Sequence, residues 1–308
     1  MKYFVTGGAG FIGSELARTL IQREHQIVVY DDFSRGCREA IPPAPGLTFV
    51  VGDIRDGEHV DRAIAEARPD RVVHLAALHF IPDCVARPRD TMEINVEGTR
   101  QVFDACARHG VARVLHASSA AVYAPCDEAC RELGTPLGPT DVYGESKLLG
   151  EELAERYHAQ TGSHISSLRI FNAIGPRETN PHVLPHILES LQRSDTLELG
   201  NTDAKRDYID TRDIASAILA IAEGAEGRSV YNIGTGLAYS VTEIIDLLQT
   251  KLGRPITVVH DPQRLRPSDR PLLLADPAKL RSELRWSPRC TLSDALDELI
   301  ASYSLRIG

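Results

Sequence analysis

The chain has 308 residues, of which 25% are charged and 43% hydrophobic, which excludes a disordered or fibrous protein and leaves one large globular domain or two. With 43 acidic and 34 basic residues the net charge is −9, so neither nucleic acid nor a membrane surface is expected as a partner. The six cysteines form no Cys-x-x-Cys pair and have no clustered histidine partners, so a reduced, cytoplasmic chain with no metal is expected. Cys126 and Cys130 are four apart and can share a helix face, but a structural role is the plainer reading. Apolar Tyr3-Phe4-Val5 follows Met1-Lys2 directly, which leaves no room for a leader peptide, and no apolar run reaches membrane-spanning length.

In chain order, residues 3–6 read as a strand, 11–22 as a helix with Phe11, Leu16 and Leu20 on one face, and 26–30 as a second strand. Alternation continues with a strand at 47–51, a helix at 58–68, a strand at 71–75, a helix at 93–108, a strand at 113–117, a helix at 143–161 and a strand at 165–170. Continuous apolar strands without in-out alternation suit a parallel sheet covered on both faces, so the fold class is α/β with a doubly wound parallel Rossmann sheet. Beyond Phe171, prolines at 176, 181 and 185 loosen the pattern, and helices at 182–193, 213–223 and 241–252 and a strand at 229–233 follow. Residues 1–171 and 206–234 are read as a dinucleotide-binding domain, and 172–205 and 235–308 as a smaller, discontinuous α/β substrate-binding lobe.

Gly7-Gly8-Ala9-Gly10-Phe11-Ile12-Gly13 contains a G-x-G-x-x-G between a predicted strand and a predicted helix, the context in which that pattern is informative. Glycines there allow a tight turn and close backbone approach, so a pyrophosphate can sit at the helix N-terminus. Gly7, Gly10, Phe11 and Ile12 are the candidates on this turn. Asp31, followed by Asp32, ends the second strand, where a carboxylate accepts from an adenosine ribose and disfavours a 2′-phosphate. NAD is therefore preferred over NADP, with Arg35 as the residue that argues the other way. Tyr143 and Lys147 are four apart on a predicted helix and share a face; an ammonium beside a phenol favours the phenolate, making Tyr143 a candidate general base.

Those residues carry a family resemblance. With Gly52-Asp53-Ile54, His74-Leu75-Ala76-Ala77, Asn95-Val96-Glu97-Gly98-Thr99, Ser118-Ser119-Ala120-Ala121-Val122-Tyr123, Arg169-Ile170-Phe171-Asn172, Arg206-Asp207-Tyr208 and Arg266-Pro267-Ser268-Asp269, the chain resembles the extended short-chain dehydrogenases/reductases that epimerise or dehydrate nucleotide sugars. The resemblance implies Ser119, Tyr143 and Lys147 as catalytic residues. It implies NAD contacts from Asp53, Ile54, Leu75, Ala76, Ala77, Asn95 and Ser118. It also implies contacts to a nucleotide-diphosphate sugar, with UDP preferred, from Asn172, Arg206, Arg266 and Asp269, since an arginine fork bonds phosphate oxygens bidentately.

Within the family, the two residues after the catalytic serine or threonine separate the reactions. Dehydratases carry Asp-Glu there, some decarboxylases a glutamate and some 3,5-epimerases a cysteine; this chain has Ala120-Ala121, which resembles a 4-epimerase acting through a transient 4-keto sugar. Another NAD-dependent sugar-nucleotide reaction or a non-catalytic dinucleotide-binding protein stays open. His79 is placed either against substrate or cofactor or in packing, and His182 and His186 near the sugar pocket, as packing or capping residues or in contact with the sugar. Arg177 is a weaker phosphate candidate, and Leu273 is expected near the sugar wall. The resemblance also implies a homodimer pairing the helices at 93–108 and 143–161.

Overall fold

The computed structural model describes residues 1–261 and 270–305. Its first half is β1 (Lys2–Thr6), α1 (Phe11–Gln22), β2 (Gln26–Asp31), β3 (Leu47–Val51), α2 (Gly57–Ala67) and β4 (Arg71–His74). Two short helices, α3 (Ile81–Ala86) and α4 (Pro88–Met92), precede α5 (Thr99–Arg108), β5 (Arg113–Ser119), α6 (Val142–Thr161) and β6 (His164–Ile170). The expected helix at 93–108 is interrupted: Glu93–Gly98 is a wide π-type turn. A Cβ on Gly98 would stand 2.6 Å from Ile54 Cδ1, so the missing side chain lets this turn lie against Ile54.

Seven parallel strands form the large sheet in the order β10-β6-β5-β4-β1-β2-β3, where β10 is Arg228–Ile233. Alternate strand residues feed opposite cores. Tyr3, Val5, Val29, Val73 and Leu115 meet α1 and α8 (Thr211–Gly224) on one face. Phe4, Val28, Val72 and Val114 meet α2, α5 and α6 on the other. The chain starts at β1, builds outward to β3, then returns to β4 on the other side of β1. That reversal leaves a crevice at the carboxyl ends of β1 and β4, where open α/β sheets bind their ligands.

Beyond β6 come β7 (Asn172–Ile174), α7 (Val183–Leu191), β8 (Thr196–Leu199) and β9 (Lys205–Asp210). β11 (Ala238–Tyr239), α9 (Val241–Leu252), β12 (Thr257–His260), β13 (Leu272–Leu273), α10 (Ala278–Leu284) and α11 (Leu292–Ser302) complete the described residues. Of segment 206–234, β10 joins the large sheet, whereas β9 lies in a small sheet between β11 and β13 and also pairs with β7. Tyr208 of β9 packs with Leu188, Ile244 and Leu296 from α7, α9 and α11 in the second core, which its side chain can reach only in that position. α9 and α11 begin with capping boxes, Ser240 with Glu243 and Thr291 with Asp294, and α9 ends on left-handed Gly253.

Candidate active site

A cavity of about 1270 Å³ opens at the crevice and runs from the glycine turn past the ends of β4 and β5 to the second lobe. The turn leaves β1 through Gly7, at φ +66°, and the Gly10 N–H bonds back to the Gly7 carbonyl at 3.2 Å. A Cβ on Gly7 would stand 2.6 Å from the Ala76 nitrogen, and one on Gly13 only 2.2 Å from the Gly7 oxygen. No side chain caps α1 at Gly10, so the first N–H groups of the helix face the cavity. Bare backbone, a helix N-terminus and room for a pyrophosphate are what a dinucleotide requires.

Asp31 lines this cavity, and its carboxylate accepts from Ala9 N and Phe33 N, both at 2.9 Å. Burial pushes its carboxyl pKa up, against the two N–H bonds. Asp31 thus holds the glycine turn to the end of β2 as well as facing the adenosine end. Asp32 accepts from Ser34 N and Oγ. Arg35, the residue that argued for NADP, is 2.6 Å from Asp83 Oδ2 on α3. Asp53 takes the Arg55 guanidinium at 2.8 and 2.5 Å, which holds its carboxyl below the usual range. Ile54, Leu75, Ala76 and Ala77 line the wall, with Leu75 N bonded to Thr6 O.

Two of the cofactor candidates spend their polar atoms on bonds within the protein. Asn95 does not line the cavity: its amide accepts from Leu78 N and donates to Leu78 O and Ser146 Oγ at 2.8–2.9 Å, tying the loop after β4 to α6. Ser118 reaches the cavity edge, but its hydroxyl donates to Glu151 at 2.6 Å. Glu151 in turn holds Arg169 at 2.7 Å, both almost fully buried, and Arg169 lies 4.7 Å above the Tyr123 ring.

Ser119 ends β5 and Tyr143 opens α6, whose N-cap Asp141 accepts from Gly144 N at 2.8 Å. The Ser119 hydroxyl stands beside the Tyr143 phenol and works against the rise of its pKa, and Ala121 N donates to Ser119 Oγ at 3.2 Å. Lys147, one turn on, gives its ammonium to the Ala117 carbonyl at 2.8 Å and stands 5.9 Å from the centre of the Tyr143 ring. The expected lowering of the phenol pKa is absent: burial raises Tyr143 above its ordinary value and pulls Lys147 down to about 8. In this dry pocket desolvation of the phenolate outweighs an ammonium that is turned toward a backbone carbonyl.

Opposite stand Asn172 on β7 and Arg206 on β9, both in the cavity wall, with Arg206 Nη1 donating to Arg270 O at 2.7 Å. Arg266 and Asp269 lie outside the described residues. Arg270, which sequence reading passed over beside them, is 9% exposed, lines the cavity, and has an Nη1 without a partner among the described residues. The run of charge in Arg266-Pro267-Ser268-Asp269-Arg270 was its signal in the sequence. Leu273 lines the wall as expected, whereas Arg177 turns away to pair with Glu15 of α1. His79 does face the cavity, with its Nε2 3.0 Å from the Asn180 amide. His182 is the N-cap residue of α7 without a side-chain cap bond, and His186 also lines the wall. Cys126 and Cys130 are in a loop rather than on a helix, yet their sulfurs are 3.5 Å apart, because Cys130 is bridged to Ala275.

The pattern of the NAD-dependent epimerase/dehydratase family matches residues 3–234. The chain belongs to that family. A UDP-glucose 4-epimerase of Corynebacterium glutamicum is 33% identical to it, over 94% of this chain and 92% of the relative. A probable UDP-arabinose 4-epimerase of Arabidopsis thaliana is 31% identical over 95% and 78%. Among solved structures, the UDP-glucose 4-epimerase from Brucella ovis in complex with NAD superposes with a TM-score of 0.91 at 30% identity, covering 100% of this chain and 99% of that one. NAD is the cofactor of this family, and the glycine cradle and acidic strand end of this chain fit it. Among the described residues no helix is long and apolar enough to cross a membrane.

Proposed function

We propose that the protein epimerises a nucleotide-diphosphate sugar, of the UDP-glucose/UDP-galactose kind, at C4 through a transient 4-keto sugar. The observation that carries this reading is the pair Ala120-Ala121 directly after Ser119. Ala120 is buried and Ala121 lines the cavity, so the two positions directly after Ser119 supply no acid or base for elimination or decarboxylation. The similarity to UDP-glucose 4-epimerases over nearly the whole chain supports it.

When bound, NAD would supply the acceptor for the C4 hydride and the donor that restores it. The chain's own residues handle the proton. Tyr143, as phenolate, takes the C4 hydroxyl proton and gives it back; Ser119, beside that phenol, holds the same substrate oxygen. Lys147, fixed by Ala117, is the nearby cation that offsets phenolate charge in a site where burial alone opposes it. Asn172 of β7 and Arg206 of β9 hold the sugar nucleotide, across the cavity from the glycine turn that carries the dinucleotide. Arg270 adds an uncompensated guanidinium N–H suited to a diphosphate oxygen.

The enzyme is further read as a cytoplasmic homodimer pairing α5 and α6. Val102 and Phe103 are consumed by packing on the sheet, while Leu149 is 37% exposed and points outward.

The test is to incubate the protein with UDP-, GDP-, CDP- and dTDP-sugars in heavy water and to follow products by mass and NMR. A product of unchanged mass, inverted at C4 and retaining its C4 hydrogen, is expected. Loss of water or carbon dioxide, or deuterium at C5, overturns the reading.

A further inference from the structure

Three side chains of the cavity wall have no part in the hydride and proton chemistry above. His79 leaves the loop after β4, on the dinucleotide side; Glu178 and His182 come from the loop between β7 and α7, across the cleft. One potential ligand atom from each lies within 4.8 Å of the other two. The imidazole rings of His79 and His182 are stacked with centroids 6.2 Å apart, and His182 Nε2 is 3.9 Å from Glu178 Oε2.

The hydrogen bonding identifies the electron pairs. The Asn180 amide nitrogen stands 3.0 Å from His79 Nε2 and 3.3 Å from Glu178 Oε1. An amide NH₂ only donates, so His79 presents a lone pair at Nε2 and carries its proton on the other ring nitrogen. The Asn180 NH₂ sits as a weak positive end where a nitrogen and a carboxylate lone pair converge. Two imidazoles and one carboxylate, open to a cavity, are the donor set of zinc sites that keep a coordination position free.

We propose that His79, Glu178 and His182 form a binding site for a divalent transition-metal ion of the zinc type, with its fourth position open to water or a substrate oxygen. The ion displaces the Asn180 amide and bonds both walls of the cleft, so it fastens the two lobes as well as presenting a positive charge to the cavity. Two neutral imidazoles and one carboxylate leave the bound ion with a net charge of about +1, which suits a hydroxyl or phosphate oxygen.

Metal-stripped full-length protein titrated with Co²⁺, followed by Zn²⁺ competition, tests this without reference to turnover. Saturation at one Co²⁺ per chain with the intense visible absorption of a four-coordinate ion is expected, as is a rise in melting temperature with Zn²⁺. Loss of an outer-shell partner alone weakens metal sites about 10–100-fold, so His182→Asn and Glu178→Gln are each expected to weaken binding at least about 10-fold and to abolish the thermal shift. The His182 side chain is 43% exposed, so His182→Asn keeps the fold and carries the test if other variants do not. The absence of stoichiometric binding overturns the proposal. So does binding unchanged in both variants, or an absorption of thiolate character lost in Cys126→Ser, whose sulfur pairs with that of Cys130 as a competing ligand set.

Discussion

Tyr143 and Ser119 show what one hydroxyl pair is asked to do. They stand side by side in a pocket whose burial raises the phenol pKa, so formation of the phenolate depends on charge brought close to it. Tyr143→Phe and Ser119→Ala are each expected to lower kcat about 10²–10⁴-fold with little change in melting temperature, read by steady-state kinetics beside calorimetry. Gly7 makes the complementary point about backbone. At φ +66°, with Ala76 N 2.6 Å from where a Cβ would go, Gly7→Ala has neither the conformation nor the space. The variant should be purified without NAD and show no quenching of intrinsic fluorescence on its addition; retained NAD at wild-type stoichiometry would count against the cradle.

At the scale of elements, β5, α6 and β6 are joined by buried charge. Ser118, Glu151 and Arg169 form one chain of hydrogen bonds beneath the catalytic end of β5, and Tyr123 continues it to Asn232 of β10 at 2.6 Å. Such a pair adds little over a well-packed apolar pair, but removing one partner strands the other charge. Glu151→Ala should therefore cost about 3–5 kcal/mol in urea unfolding, whereas Glu151→Leu combined with Arg169→Met should cost clearly less. Equal losses would mean that the network is held together by packing alone. The ends of α6 were legible in Asp141 and Gly162, a side-chain cap and a left-handed C-cap. The π-type turn before α5 was not legible, because it depends on Ile54 meeting Gly98 and on Asn95 reaching Leu78, both contacts distant in sequence.

For the molecule as a whole, stability is tied to two neutral histidines in the sheet. His74 bonds Thr6 and Thr99, while His116, stacked on it at 5.8 Å, has no partner for either ring nitrogen. Burial pushes His74 down to about 3 from the ordinary 6.5 and His116 well below that ordinary value. The unfolded chain binds more protons than the native one below pH 6.5, so these groups stabilise the fold above that pH and lose their contribution progressively as pH falls toward about 3. Between pH 6.5 and 5 His74 should withdraw on the order of 1–2 kcal/mol, and His116 should act in the same direction. His116→Leu should reduce the acid sensitivity of the unfolding free energy over this interval, measured by urea titration at both pH values. An unchanged pH slope would show that His116 is protonated in the native state.

Local chemistry determined much of this protein in advance. Apolar strands of even spacing, glycines where a turn must be tight, a Tyr and a Lys one helical turn apart, and Ser119 with two alanines after it are all properties of neighbours in the chain, set by backbone geometry and side-chain period. What only the tertiary structure decided is which distant residues share space. β9 went to the small sheet because Tyr208 belongs to the second core; Asn95 was drawn behind the wall by Leu78 and Ser146; Arg177 found Glu15 instead of a phosphate. His79 and His182 gave no sign of each other in a sequence that separates them by more than a hundred residues, yet the crossover from β4 to the second lobe stacks their rings beside Glu178. Chain proximity fixes what a residue is able to do, and packing of elements far apart in sequence fixes what it is given to do it with.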